Sequence, residues 1–517
     1  MNKYITKIGV ALTALATLTA CDLDTAPTTS LDADAAFKTT DYADDVLRGT
    51  WSYAFNEGIT VESVGLGAIL LNDDFMGSDC VKAVSYGFKD CYNLTAGYSR
   101  GQRVRFCWDM CYDAINNCNS IIAYVDNAQG AQSDRNRIKG QAYATRGFMY
   151  MMLASHYSFA IDKDPNAVCV PIYTEPTTMG TALTGNPASS VSEVYAQALS
   201  DLKQAVELIP ENYSHGSAQA NQYKIDYNVA CGLLARTSLY ARQWQDAYDY
   251  ASKVLERNGY LMTESEYKQG FNDYNNKEWL WAYTSTLDDC DGATVGWFKC
   301  NSLNGYGSLC VDPNFAKKFS ADDYRGDLFS QWGYTLQGGK TVRLLNDKFK
   351  MVDEDNDLTN YALMRTSEIY LIKAEAAVHL NKEGEARDLL HQLQQSRMRE
   401  GKTAPAVTAS GDDLLQAIWM ERRKELWGEG FALTDIIRNQ QSVEREATEV
   451  PGVTVYEDND PENDPQTATG EGHYTTKLPD GSAFTKNSIY YLYRILADEE
   501  LQNKNLYSKY PKLSQYR

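Results

Sequence analysis

Histidine, paired cysteines and basic blocks are what this 517-residue chain has least of. Five His are scattered along it and no CxxC pair occurs, which removes the ligand spacings on which zinc sites are built. Aspartates 353, 355 and 357 suggest a calcium loop. However, Leu358 stands where that loop needs glycine and Met364 where it needs its last ligand, so no metal site is expected. The longest basic run is Arg422-Arg423-Lys424, within a formal charge of −20 from 69 acidic and 49 basic residues. Phosphate backbones are held by clustered Lys and Arg, so no nucleic-acid partner is expected. HExxH, a nucleophile elbow and a phosphate loop are all missing. Gly65-Leu66-Gly67 and Gly305-Tyr306-Gly307 lack the following glycine and helix of a nucleotide cradle. Carboxylates are plentiful but none pairs by spacing, so the chain reads as a non-enzyme without a cofactor.

Apolar residues make up 43% of the chain and charged ones 23%, enough for a large core. Tyr outnumbers Phe 36 to 15, which favours rings with one wet end, at binding surfaces or the rim of a helical core. Lys3 and Lys7 precede an apolar run, Ile8 to Ala20, too short to span a bilayer. It closes on Leu18-Thr19-Ala20-Cys21, which resembles a bacterial lipoprotein signal. Residues 1–20 are then the signal peptide, Cys21 the lipidated residue, and 21–36 a polar tether to the membrane. Of the other ten cysteines, 290, 300 and 310 are spaced for a loop staple. Cys107, Cys111 and Cys118 fall on a helix as buried thiols.

Residues 361–398 commit most firmly to structure. Leu363, Ile369, Ile372 and Ala376 mark one helix, Asn381 and Gly384 break it, and Ala386, Leu389, Leu390 and Leu393 begin a second. Residues 227–258 repeat the pattern. Ala235 and Ala247 are separated as Ala374 and Ala386 are, with Ala251 and Leu390 four residues further on. Small residues at that separation mark tetratricopeptide-like pairs, and Trp244 takes the aromatic place after the turn. With helices at 134–159 and 189–209, about four such pairs are expected in a mostly α body. Further helices are expected over 31–55, 106–125 and 414–439. The last carries Glu421, Arg422, Arg423, Glu425, Glu429 and Arg438 as ion pairs within and between helices. Residues 278–284 alternate as a strand, with Trp279 and Trp281 on its core side. Two long loop regions remain, about 56–100 and 260–360, where binding residues tend to sit.

These pieces together resemble the SusD/RagB family of Bacteroidota outer-membrane lipoproteins. The resemblance is carried by the signal, LLARTSLYARQWQDAYDYASKVL, MRTSEIYLIKAEAAVHLNKEGEARDLL, ERRKELWGEGFALTDIIR and RILADEELQNKN. Its most specific positions are Glu421-Arg422, Glu425-Leu426, Glu429-Gly430, Asp435 and Arg438, then Arg494-Ile495 and Asn503. Leu496-Ala497 departs from the proline common after that isoleucine, and Asn503-Lys504-Asn505 from a terminal Asn-Pro run. The resemblance implies one SusD-like body over 37–517, with helical pairs on one side and a loop-rich face with short strands opposite. It implies a surface-exposed outer-membrane lipoprotein that captures oligosaccharide or polysaccharide for a SusC-like TonB-dependent transporter, without catalysis. A peptide-binding, RagB-like role on the same architecture is the alternative. The loops placed like the family's binding regions are 73–100 and 285–306. In them Trp297, Tyr306, Tyr98 and Tyr86 are the expected ring platforms, with Asn304, Asp288, Asp73 and Arg100 as hydrogen-bonding partners.

Overall fold

The first apolar face forms α1 (Thr40–Asn56), burying Leu47, Trp51, Ala54 and Phe55. The structure is a computed structural model and describes residues 37–56, 65–83, 87–98, 100–213, 224–284, 309–334, 341–353, 358 and 360–513. The expectation of a loop throughout 56–100 is corrected by α2 (Gly65–Met76). All of α2 but Leu70 is buried, so it has no polar face and none of the alternation that announces a helix. It leads into β1 (Cys80–Lys82).

Two long helices follow, α3 (Gln102–Tyr124) and α4 (Gln132–Tyr157). Strands β2 (Val168–Pro171) and β3 (Ala188–Ser190) pair before α5 (Val191–Leu208). Ser190 opens α5 with a reciprocal capping box to Glu193. A Cβ at Gly147 of α4 would stand 2.8 Å from Leu202, and one at Gly140 2.8 Å from Ile209. Bare glycines two turns apart therefore set how closely α4 and α5 approach.

Next come α6 (Tyr227–Tyr240), α7 (Trp244–Arg257) and β4 (Trp279–Thr284). Short strands β5 (Leu309–Val311), β6 (Trp332–Tyr334) and β7 (Val342–Leu344) precede β8 (Asn360–Arg365). Strand β8 corrects the expected helix start. Residues 360–365 pair antiparallel with β4, and the helix α8 begins only at Thr366 (Thr366–His379), followed by α9 (Glu383–Ser396). Trp279 and Trp281 of β4 are buried, Trp281 meeting Trp51 edge-on at 5.2 Å.

The hairpins α6–α7 and α8–α9 match landmark for landmark, Tyr227 to Thr366 and Trp244 to Glu383 (366 − 227 = 383 − 244 = 139). Arg242 and Asn381, also 139 apart, both turn their chain with left-handed backbone, φ 59° and 60°. Ala235, Ala247, Ala251, Ala374 and Ala386 are fully buried, and Trp244 stacks on His379 at 3.7 Å to join the two units.

The expected single helix over 414–439 is two: α10 (Gly411–Glu425) and α11 (Ala432–Arg438). Gly428 and Gly430 separate them at φ +75° and +85°. A Cβ at Gly430 would stand 2.5 Å from Leu70, while its N–H donates to Asp74 Oδ2 at 2.8 Å. Only glycine meets both demands. Beyond them β9 (Glu449–Val455) and β10 (Gln466–Glu471) form a hairpin in a stretch whose sequence shows little periodicity. The largest sheet runs β1-β5-β7-β10-β9, with β6 also on β7, and is antiparallel except between β7 and β10. The end docks as an extended run over Leu492–Leu496 before α12 (Ala497–Gln502). Tyr493 N–H donates to His156 and Arg494 N–H to Gly97.

The ion pairs expected within and between helices are present, and they converge in the interior. Glu425 accepts from Arg397, Arg365 and Arg325 at 2.8–3.0 Å. Glu278 takes Arg365 at 2.5 Å and Arg397 at 3.1 Å, and Glu429 takes Arg365 and Lys348 at 2.6 and 2.7 Å. All of these side chains are buried. Burial opposes ionisation of Glu425, but the three guanidiniums overcome it and hold the carboxyl well below its usual range. This knot ties β4, β8, α9 and α10 together. Arg438 adds Glu375 and Asp435, each at 2.6 Å.

Candidate binding face

Two of the shortest strands adjoin the segments singled out in the sequence. β1 and β5 pair antiparallel with Lys82 opposite Leu309, so the last residues of β1 and the first of β5 lie side by side. The pair is clamped from below. The Asp312 N–H and the Trp427 indole N–H donate to the Asp79 carbonyl at 3.0 and 3.2 Å, while Arg423 forks the Asp79 carboxylate at 2.6 and 2.9 Å.

Residues 87–98 are pinned in the same way. Arg103 reaches both oxygens of Asp90 at 2.8–3.0 Å and faces the Phe88 ring, and the Cys91 thiol meets Asn72 Oδ1. Buried Arg445 donates to the carbonyls of Phe75, Gly77 and Tyr92, spending its N–H groups on backbone that no helix or strand satisfies. Above it, the Tyr92 hydroxyl lies 2.7 Å from His473 Nδ1. His473 Nε2 donates to the Ser78 carbonyl, which leaves Nδ1 to accept from Tyr92. Burial and then the Arg445 charge hold His473 down at about 3, so it stays neutral.

On this base two tyrosines stand out into solvent. Tyr98, an expected platform, is 43% exposed with the Arg494 guanidinium 5.1 Å from its ring centre. Tyr474, which sequence reasoning missed, is 44% exposed; it packs on Tyr92 at 4.7 Å with Arg343 5.4 Å away. The only sign of Tyr474 in the sequence is an aromatic pair with His473 inside a Pro-, Gly- and Asp-rich stretch. Arg100 is exposed two residues from Tyr98.

Asp73 does not belong with them. It lies in α2, 1% exposed, with both oxygens 3.0 Å from His156 Nε2. His156 Nδ1 faces the Met152 carbonyl at 2.7 Å. Both ring nitrogens meet acceptors, so both carry a proton and His156 is an imidazolium. Burial alone would lower it; Asp73 more than reverses that and raises it to about 9. Asp73 is thus a structural counter-ion, removed from reach of a surface ligand by its place in a buried helix. Tyr86, Asp288, Trp297, Asn304, Tyr306 and Cys21 lie outside the described residues. Among the described residues no three His, Cys, Asp or Glu side chains come together as a metal site. Cys80, Cys107, Cys111, Cys118, Cys169 and Cys231 are buried thiols.

Comparison with known proteins places the architecture. The SusD family model matches residues 326–512, and a model described as "Starch-binding associating with outer membrane" matches 23–239. A solved SusD-like carbohydrate binding protein of Bacteroides vulgatus is 46% identical, spanning 93% of this chain and all of its own, with a TM-score of 0.85. The chain belongs to the SusD family. A second structure from Bacteroides vulgatus, a SusD superfamily protein 19% identical over 92% of this chain and 100% of its own (TM-score 0.74), shares the fold. A SusD-like protein of Formosa agariphila is 23% identical over 65% of this chain and 72% of its own. In this SusD-family chain the positions that carry the resemblance are structural. Glu425, Glu429, Asp435 and Arg438 sit in the buried ion clusters, and Glu421 is buried 2.7 Å from Arg325. Arg494 is the exception, reaching the exposed Tyr98 ring.

Proposed function

We propose that this protein is a non-catalytic outer-membrane lipoprotein, anchored through Cys21, that captures oligosaccharide or polysaccharide on its loop face at the cell surface. It then hands the glycan to a SusC-like TonB-dependent transporter. Family membership and the carbohydrate-binding description of the 46% identical structure support this reading. The observation that carries the site is the β1–β5 pairing, which brings together the chain ends adjoining residues 84–86 and 285–308; Tyr98 adds an exposed ring. Sugar rings present flat C–H faces that exclude water against an aromatic platform, with amides, carboxylates and guanidinium groups at the rim for the hydroxyls. Trp297, Tyr306, Tyr86 and Tyr98 are the proposed platforms, and Asn304, Asp288 and Arg100 the rim.

The test is affinity electrophoresis of protein starting after Cys21 in gels cast with neutral polysaccharides. Trp297→Ala should abolish retention and leave the melting transition in place; unchanged retention removes Trp297 from the site. Retention that collapses at moderate salt would point instead to basic peptides drawn by the −20 charge. Glycan turnover by the purified protein would overturn the non-catalytic role.

A further inference from the structure

A cleft of about 340 Å³ opens between α3, the segment 173–185 and α12. Tyr112 and Tyr173 meet edge to face in its wall at 5.9 Å, and Trp108 packs on Tyr112 at 4.7 Å. Asp113, Glu499 and Gln502 bring polar groups to its mouth. Among the described residues no Lys, Arg or His lines it.

Its walls are fixed before anything binds. Arg146, forked on Asp201 at 2.7 and 2.8 Å, donates to Asn119 Oδ1 at 2.6 Å. Asn119 Nδ2 in turn holds the carbonyls of Tyr173 and Glu175. Asn116 Oδ1 accepts from the Thr177 N–H at 2.9 Å. On the far side Asn503 donates to the Asn186 carbonyl at 2.7 Å and to Glu499 at 2.8 Å. Buried Arg146, Asp201, Asn119 and Asn503 thus keep the open space in shape, and a ligand entering it meets walls that need no reordering. The volume is in the range of small-molecule sites.

The chemistry narrows the occupant. Aromatic rings with carboxylate acceptors and an amide suit a polyol ring, whose hydroxyls donate to Asp113 and Glu499 and accept from Gln502. A uronate or sulfated sugar would bring an anion against two carboxylates with no cation to offset it. We infer that this cleft is a second sugar subsite, selective for an uncharged sugar unit. This rests on the proposed sugar-binding role and adds a site that role does not contain. Asp113 lies 11 residues along α3 from Gln102, roughly 16 Å at the helical rise. One extended chain starting near Tyr98 can therefore reach it.

The test is saturation-transfer NMR on protein starting after Cys21, with methyl β-glucoside, methyl β-galactoside, methyl α-mannoside and glucuronate as probes. At least one neutral glycoside should give signal, and glucuronate none. Gln502→Ala, an exposed change on α12, and Asp113→Ala should each weaken the neutral probe's titration about tenfold, the worth of one hydrogen bond to a charged or amide group. Tyr42→Ala, an exposed ring on α1 outside both proposed sites, should leave it unchanged. A neutral-probe signal untouched by both cleft variants, or equal binding of glucuronate, overturns the subsite. If neutral polysaccharides are retained in gels but no glycoside signal depends on the cleft, the subsite falls and the proposed function stands. If neither occurs, both fall.

Discussion

Replacing Asp73 by Asn separates a buried counter-ion from a ligand-binding carboxylate. In the folded protein His156 is raised to about 9 from an ordinary 6.5. A base whose folded pKa lies above its unfolded value stabilises the fold fully below the unfolded pKa, and loses that contribution as pH rises through the folded one. A gap of about 2.5 units corresponds to about 3 kcal/mol. Burial also raises the Asp73 carboxyl that the change removes, so Asp73→Asn should cost at most about 3 kcal/mol at pH 6. The cost should vanish by pH 10, where His156 is neutral and the variant loses only a buried, unpaired carboxylate. Urea unfolding followed by circular dichroism at the two pH values measures this. The chain has only five histidines, so their ring carbon–proton NMR signals can be followed singly, and the His156 signal should titrate near 9. A stability gap equal at pH 6 and pH 10, or a His156 signal titrating near 6.5, would refute the ion pair. Loss of polysaccharide retention by a folded Asp73→Asn protein would return Asp73 to the binding face.

Other perturbations probe the frame. Glu425→Gln leaves Arg325, Arg365 and Arg397 without their shared anion and should destabilise the protein by about 3–5 kcal/mol in urea unfolding. A cost below about 1 kcal/mol would show that the cluster is solvated. His473 sits at about 3 when folded, so protonation of the unfolded chain should drain stability as pH falls below about 6.5. The loss should reach about 3 kcal/mol at pH 4, and His473→Gln should flatten that acid limb; an unchanged limb would assign it elsewhere.

Legibility followed the distance over which each feature is determined. The hairpins announce themselves because Ala235, Ala247, Ala374 and Ala386 act between neighbouring helices, and their spacing is local. Ser190 and Glu193 likewise declare the start of α5 within four residues. α2 was hidden because a helix buried on every side has no face to alternate. The strand β8 was hidden because its partner, β4, lies some eighty residues earlier. Glu425 was legible as a member of an ion pair but its burial was not, because Arg325, Arg365 and Arg397, which hold it inside, come from other elements. Asp73 failed because its meaning depends on His156, 83 positions away. Tyr98 was readable as an aromatic in a glycine-rich loop; Tyr474 was not, since its platform is built by Tyr92 from the far end of the chain.

The clamp beneath β1 and β5 has a consequence for how such a protein changes over time. Asp79, Asp312, Arg423 and Trp427 secure the two strands without using any residue between 285 and 308. Sequence there can drift, lengthen or be exchanged with a relative's while those bonds remain. If 285–308 holds the proposed platforms, ligand preference can change on a chassis that does not have to be reinvented, and a loop transplanted between Thr284 and Leu309 should carry its preference with it.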